Sequence, residues 1–441
     1  MPPTNYSDEQ LALDTERMRL NARNARNPEL SAANEKRRLE EQNPLTDHRG
    51  QGLSHQHSTG RNSYHGESAE ASGIGGGHHG LGLQDIVHEL NACIKERGLH
   101  EFYPTPDQVQ RVARHVLQTG LLPQLAQQWE APTELIIYLA RLALFEIKIL
   151  WDDSGSMAFM TGVESSDDSG IDSDGGNGKS EIPPRIKEGL KIVKKIARII
   201  CTFDESGIDV RSLSYLSPRL TTRLSSEQKP GGENLTMPRQ VIKYIETAKY
   251  TWAPGVNPKD RYSNLRQVHR TPLGTSIHDL ILEPYVDAAT SRDEHERPKK
   301  PLLTLILSDG AADGEDEGKD LLNVLLMAFN RLSRTKYGSL AATAGFGQIG
   351  DVKGVMESLQ DIDEHRVLDP AFDATSAFKI EAKQWKKNGL KLTPDLWTMK
   401  FILAPVSIEW DVTDQIQGKG KGKDQPRRVF DAIYTWSRGR L

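Results

Sequence analysis

Apolar residues begin to recur at a regular spacing only near Leu83. From there Ile86, Val87, Leu90 and Ile94 fall at helical intervals, and Gly98 ends the run. Pro104 and Pro106 mark a turn, and Asp107 is the predicted N-cap of a second helix carrying Val109, Val112, Ala113, Val116 and Leu117. A third predicted helix follows Pro132 and presents Leu135, Ile136, Leu139 and Leu142. It leads without a linker into a predicted strand over 143–151. Residues 85–142 are too few, and too tightly joined to that strand, to bury a core of their own. They are expected to be a helical extension packed on the next domain.

Beyond Trp151 the pattern alternates. A long amphipathic helix is predicted over 186–203, a strand over 207–214, a helical or extended segment over 241–250 and a helix over 276–286. The apolar run 302–307 reads as a strand ended by Ser308-Asp309-Gly310. Then come a helix over 321–332, a strand over 340–346, a helix over 351–362 and a further strand within 399–412. Strands that alternate with helices and are apolar on both faces predict an α/β fold: a doubly wound, mostly parallel sheet covered on both sides. In such sheets ligands bind at the carboxyl ends of the strands.

Composition shortens the folded part. Of the 441 residues, the first 80 contain no Val, Phe, Trp or Cys, and 47–82 are dominated by Gly, Ser and His. Residues 1–84 are therefore expected to be a disordered low-complexity tail, because so polar a segment cannot offset its ordering entropy by burial. His55, His57, His65, His78 and His79 within it are read as a solvated linker rather than a metal cluster, lacking a fixed second shell. Polar insertions are expected at about 158–184, 217–239 and 253–268 inside a domain spanning 143–415, and 416–441 is a basic C-terminal tail.

Charge and cysteine content exclude several classes. A formal charge of −5 gives no whole-chain reason to bind nucleic acid. Cys93 and Cys201 cannot build a disulfide framework or a cysteine-based zinc site. The start of the chain has no secretory pattern, and the apolar stretch 135–151 is interrupted by Arg141, Glu146 and Lys148, so no transmembrane segment is expected. The chain reads as intracellular, with a cytoplasmic location expected.

Two predicted strand ends and one loop carry chemistry. The first strand end is Trp151-Asp152-Asp153-Ser154-Gly155-Ser156-Met157, the second Leu307-Ser308-Asp309-Gly310, and the loop is Thr271-Pro272-Leu273-Gly274-Thr275. Small oxygen-bearing side chains in these positions suit a hard divalent cation, Mg²⁺ (or Mn²⁺), which prefers oxygen ligands and keeps some water. Neutral hydroxyls would leave the ion short of negative charge and with a coordination position open, which an acidic group of a partner can fill. The bland alternative is that Ser154 and Ser156 only cap the following turn.

Asp152-x-Ser154-x-Ser156 resembles the D-x-S-x-S motif of von Willebrand factor type A domains, the fold shared with integrin I domains. The Thr271-Pro272-Leu273-Gly274 loop is similar to that family's threonine loop, and Ser308-Asp309-Gly310 to its T/S-D-G strand end. Phe102-Tyr103-Pro104 followed by Asp152 to Met157 looks most like fungal intracellular members. The resemblance spans about residues 85–415 and implies a metal-ion-dependent adhesion site. Ser154, Ser156 and Thr271 would be its hydroxyl ligands, and Asp152 and Asp309 would bind directly or through water. The family's Gly-Gly before the threonine is His269-Arg270 here, so Thr275 stays a rival to Thr271, and the gap from Asp152 to Thr271 is long because of the insertions.

The function the resemblance implies is non-catalytic: metal-dependent binding of a protein that supplies an Asp or Glu carboxylate. The rivals are a metal-independent scaffold and a nucleotide-dependent enzyme. The latter would use Gly345-Phe346-Gly347-Gln348-Ile349-Gly350, which fits G-x-G-x-x-G but lies late in the sheet. In the resembled family that segment is the fifth strand and its exit loop. Gly178-Lys179-Ser180 lacks the strand and first glycine of a P-loop, Asp172-Ser173-Asp174 lacks the glycine of an EF-hand, and Ser154 lacks a hydrolase elbow. In the C-terminal tail, Lys419, Lys421, Lys423, Arg427 and Arg428 precede Val429, Phe430, Ile433, Tyr434 and Trp436 at helical spacing. Such a helix can touch an anionic surface weakly, but docking on its own domain is the favoured reading.

Overall fold

The structure is a computed structural model, and it describes residues 81–158, 184–204, 206–213, 232–248, 271–310, 318–352, 354–411 and 428–438. The expected tail up to Gly80 with its histidines, the insertions over 159–183, 217–231 and 253–268, and the lysines at 419–423 lie outside these residues.

Five strands form one parallel sheet in the order β2-β1-β3-β4-β5. They are β1 (Glu146–Trp151), β2 (Asp209–Ser212), β3 (Leu302–Ser308), β4 (Ala342–Gln348) and β5 (Phe372–Thr375). Every residue of β3 and β4 is buried, as expected for parallel strands covered on both faces. The α/β expectation holds. From β1 the chain moves outward to β2, then returns to the other side of β1 for β3 and continues to β4 and β5. The order thus reverses between β1 and β3. Their register runs from Glu146 opposite Leu302 to Trp151 opposite Leu307, and Asp152 N extends the ladder to Leu307 O at 2.9 Å.

Helices α1 (Leu83–Arg97), α2 (Pro106–Gln118), α3 (Leu121–Trp129) and α4 (Thr133–Ile136) precede the sheet, and α4 continues as a 3₁₀ segment, Ile137–Leu144. The expected strand start at 143 is therefore delayed to Glu146. The α2 N-cap is Thr105 rather than Asp107, because Pro106 takes the first helical position, where its missing N–H costs nothing. These helices share one hydrophobic core with the sheet. Their polar ties are also long-range: Arg141, 2% exposed, donates to Glu89 at 2.5 Å, to Glu96 at 2.8 Å and to the carbonyl of Val406 at 3.3 Å.

The connections between strands cover the two faces. Helix α5 (Pro184–Phe203) joins β1 to β2, and α6 (Pro238–Ala248) follows β2. Part of the expected 217–239 insertion is structured, since Leu235 pairs with Ile208 in an antiparallel bridge. Helix α7 (Leu273–Ile277) passes through a π-helical turn, His278–Leu282, into α8 (Glu283–Thr290), while α9 (Leu321–Ser333) joins β3 to β4 and α10 (Val355–Asp363) joins β4 to β5. Leu282, Leu325, Ala328 and Leu332 from this group line a small void with Ala342 and Ala344 of β4.

The other face carries α5 and α12 (Pro394–Leu403), with α11 (Phe378–Lys387) between β5 and α12. A Cβ on Gly189 of α5 would lie 2.5 Å from the Trp151 ring, and one on Gly345 would lie 2.5 Å from Pro405 Cγ and 3.2 Å from Phe401 O. Trp151, Leu307 and Gly347 are in register and so share that face.

One expectation fails here. The segment 399–412 carries no strand among its described residues. It is the end of α12, a 3₁₀ turn Ala404–Val406 and a short helix α13 (Ile408–Asp411). An all-round apolar run is equally a buried helix, and this one is buried throughout. Gly345-Phe346-Gly347, expected as strand rather than nucleotide loop, is the middle of β4, fourth of the five described strands, where the glycines admit α12 close to the sheet. Finally α14 (Arg428–Arg438) buries Val429, Ile433 and Trp436, and Ser437 Oγ donates to Lys391 O at 3.1 Å. The apolar side of the C-terminal helix is thus docked on its own domain.

Candidate functional site

The strand order reverses between β1 and β3, so the connections leaving their carboxyl ends diverge, and this switch point is where ligand crevices form in open parallel sheets. The first residue after β1 is Asp152, and the first after β3 is Asp309. Both carboxylates are fully buried. Their neighbours are hydroxyls. Ser154 N donates to Asp152 Oδ1 at 2.8 Å, and the Ser308 hydroxyl donates to Asp152 Oδ2. Ser154 Oγ and Ser156 Oγ are 2.9 Å apart, and Ser156 Oγ donates to Asp309 Oδ1 at 3.0 Å. A continuous chain of hydrogen bonds, through the Ser154 amide and the Ser154 and Ser156 hydroxyls, therefore joins the exit of β1 to the exit of β3.

Local sequence explains the shape. After Trp151 the backbone leaves the ladder, and the 3₁₀ turn Gly155–Ala158 turns Ser156 back toward β3. After Ser308, Gly310 adopts φ 81°, a left-handed conformation, and a Cβ there would lie 2.1 Å from Val355 Cγ1. The Gly310 amide donates to Ser308 Oγ at 2.9 Å, which fixes the hydroxyl that faces Asp152.

Thr271 reaches this end of the sheet by another route. Its helix, α7, is tied to the end of β2 by Ser276 Oγ, which donates to Leu213 O at 3.2 Å, and Leu213 N donates in turn to Trp151 O at 2.9 Å. On the other side a Cβ on Gly274 would lie 2.1 Å from Lys319 O, so the glycine of Thr-Pro-Leu-Gly lets α7 touch the chain returning from Asp309. Thr271 is buried, whereas Thr275 is half-buried and lies inside α7.

The electrostatics are set by burial. Asp152 is pushed up to about 7, first by loss of solvation and then by the neighbouring Asp309; the Ser154 and Ser308 hydrogen bonds oppose the rise. Two close buried carboxylates resist full ionisation unless a positive charge is supplied. One such charge is present. Arg185, in the first turn of α5, donates through Nη1 to Asp309 Oδ2 at 2.9 Å and to Ser156 O at 3.0 Å. Sequence reasoning missed both Arg185 and the Ser308 hydroxyl. The one available signal for Arg185 was its position: a cation in the first turn of a helix opposes the helix dipole and needs a compensating anion.

The donor set suits a hard divalent cation, with two carboxylates and hydroxyls converging at a strand switch point. Among the described residues no group of three or more His, Cys, Asp or Glu gathers as a metal site. Among the same residues no helix is long and apolar enough to cross a membrane. In comparisons with known proteins, no family model and no curated protein matches the chain.

Proposed function

We propose that this chain is a von Willebrand type A domain protein whose site binds Mg²⁺ or Mn²⁺ and, through it, a carboxylate of a protein partner. The observation that carries the reading is the hydrogen-bonded chain Asp152–Ser154–Ser156–Asp309, assembled from motifs far apart in sequence where the strand order reverses between β1 and β3. Asp152, Ser154, Ser156 and Asp309, with Thr271 from the α7 side, are the residues that would hold the ion. When bound, it would offer an electrophilic coordination position to an Asp or Glu side chain of the partner. The protein's own contribution is to present hydroxyls where more carboxylates would quench the ion's charge. No covalent step is involved.

Retention of partners from a native extract, with and without EDTA, tests this. Partners should be retained with Mg²⁺ and lost both with EDTA and on Asp152→Ala, with the circular dichroism unchanged. Equal retention under all three conditions rejects the mechanism.

A second reading, a metal-independent scaffold, is favoured by one observation: Arg185 already neutralises part of the site's negative charge.

A further inference from the structure

Arg185 is unlike an ordinary surface cation. Its side chain is 11% exposed, and Asp309, its partner, is 0% exposed. The guanidinium lies in a slot between the Ser156 carbonyl and the turn at Gly350. Gly350 has φ 78°, and a Cβ there would lie 2.8 Å from Arg185 Nε and 3.2 Å from Cδ, so any other residue would collide with the side chain. The Nε–H is buried and has no hydrogen-bond partner among the described residues. The slot therefore fits the stem closely, leaves Nε unsatisfied and ties the head through Nη1 to the side facing Asp309. Burying an arginine with an unsatisfied donor is costly, and the Asp309 carboxylate is what offsets it.

We infer that Arg185 is a tethered cation that competes with the divalent ion for Asp309 and so sets the site's metal affinity. This rests on the metal-binding reading proposed for the crevice. The two cations draw on one carboxylate: Asp309 Oδ1 accepts from Ser156, a proposed ligand, and Oδ2 accepts from Arg185. An ion seated among Asp152, Ser154, Ser156 and Asp309 meets a carboxylate whose charge is already shared and a guanidinium that repels it. The ion gains full use of Asp309 only when Arg185 moves away. The site is consequently tuned toward weak, exchangeable binding, and a partner carboxylate that helps hold the ion also shifts Asp309 away from Arg185.

The test is calorimetric titration of Mg²⁺ and Mn²⁺ into the full chain, with thermal melts in EDTA and in Mg²⁺. The variants are R185Q and R185M, which remove the charge, and R185K, which keeps it; R185M keeps an apolar stem, so either neutral variant serves if the other fails to fold. Both neutral variants should bind Mg²⁺ at least tenfold more tightly than the natural chain. They should melt lower in EDTA and recover in Mg²⁺, while R185K stays within about threefold of the natural affinity. Equal or weaker Mg²⁺ binding by the neutral variants overturns the competition while leaving the metal site standing. No binding by any of the four proteins removes the metal site, and the competition with it.

Discussion

Ser156 Oγ donates to Asp309 Oδ1 at 3.0 Å across 153 residues of sequence, closing the gap between the exits of β1 and β3. That contact holds two buried carboxylates in one crevice, and their mutual effect gives the first prediction. Folded Asp152 keeps its proton up to about pH 7, against 3.8 for its ordinary value. The folded state therefore binds more protons than the unfolded chain between those two values, and stability falls as pH rises through that window. The contribution is complete below pH 4 and gone above 7, on the order of 2–4 kcal/mol in chelator. Asp152→Asn should flatten this slope. Added Mg²⁺ should stabilise the natural chain more at pH 8 than at pH 5, because it needs the ionised carboxylate. Urea melts from pH 4 to 8, with and without Mg²⁺, would show both.

Gly345 is expected to matter for packing and not for phosphate. Gly345→Ala places a methyl 2.5 Å from Pro405 Cγ, which should cost about 1–3 kcal/mol. A fall in urea midpoint at constant slope, with no nucleotide binding by either protein, is the expected pair of results. Nucleotide binding that Gly345→Ala removes would restore the dinucleotide reading.

Arg141 ties α1 to the sheet domain through a buried pair with Glu89, their side chains 3% and 11% exposed. Arg141→Ala leaves Glu89 without this partner and should destabilise the whole domain by about 3–5 kcal/mol. Loss of α1 protection alone in hydrogen exchange, with the sheet unaffected, would show instead that the N-terminal helices unfold independently.

Ile433 of α14 is 0% exposed. Ile433→Ala should cost about 2–5 kcal/mol, whereas truncation of exposed Tyr434 should cost little. Equal, small effects would mean that the helix contributes nothing to the domain's stability.

The strand exits were legible because each is a run of apolar residues broken by Asp, Ser and Gly, which names both a buried parallel strand and its end. Asp152, Ser154, Ser156 and Asp309 were thereby placed at strand ends from sequence, and the structure brings them together. Other features were hidden for physical reasons. β5, Phe372–Thr375, is too short for its periodicity to register. α12 is buried on all sides and so resembles a strand, although Thr393 accepting from Leu396 N at 3.1 Å, with Pro394 after it, is a helix start written in the sequence. The pairing of Arg185 with Asp309 was out of reach because the two are 124 residues apart, and only the fold makes them neighbours.

The central claim is that the β1–β3 crevice holds a divalent cation on Asp152. Calorimetric titration of Mg²⁺ into the natural chain and into Asp152→Asn at pH 8 tests it most directly. Saturable one-to-one binding that the substitution abolishes is the predicted result. An absence of heat in both, or the same isotherm in both, would contradict it.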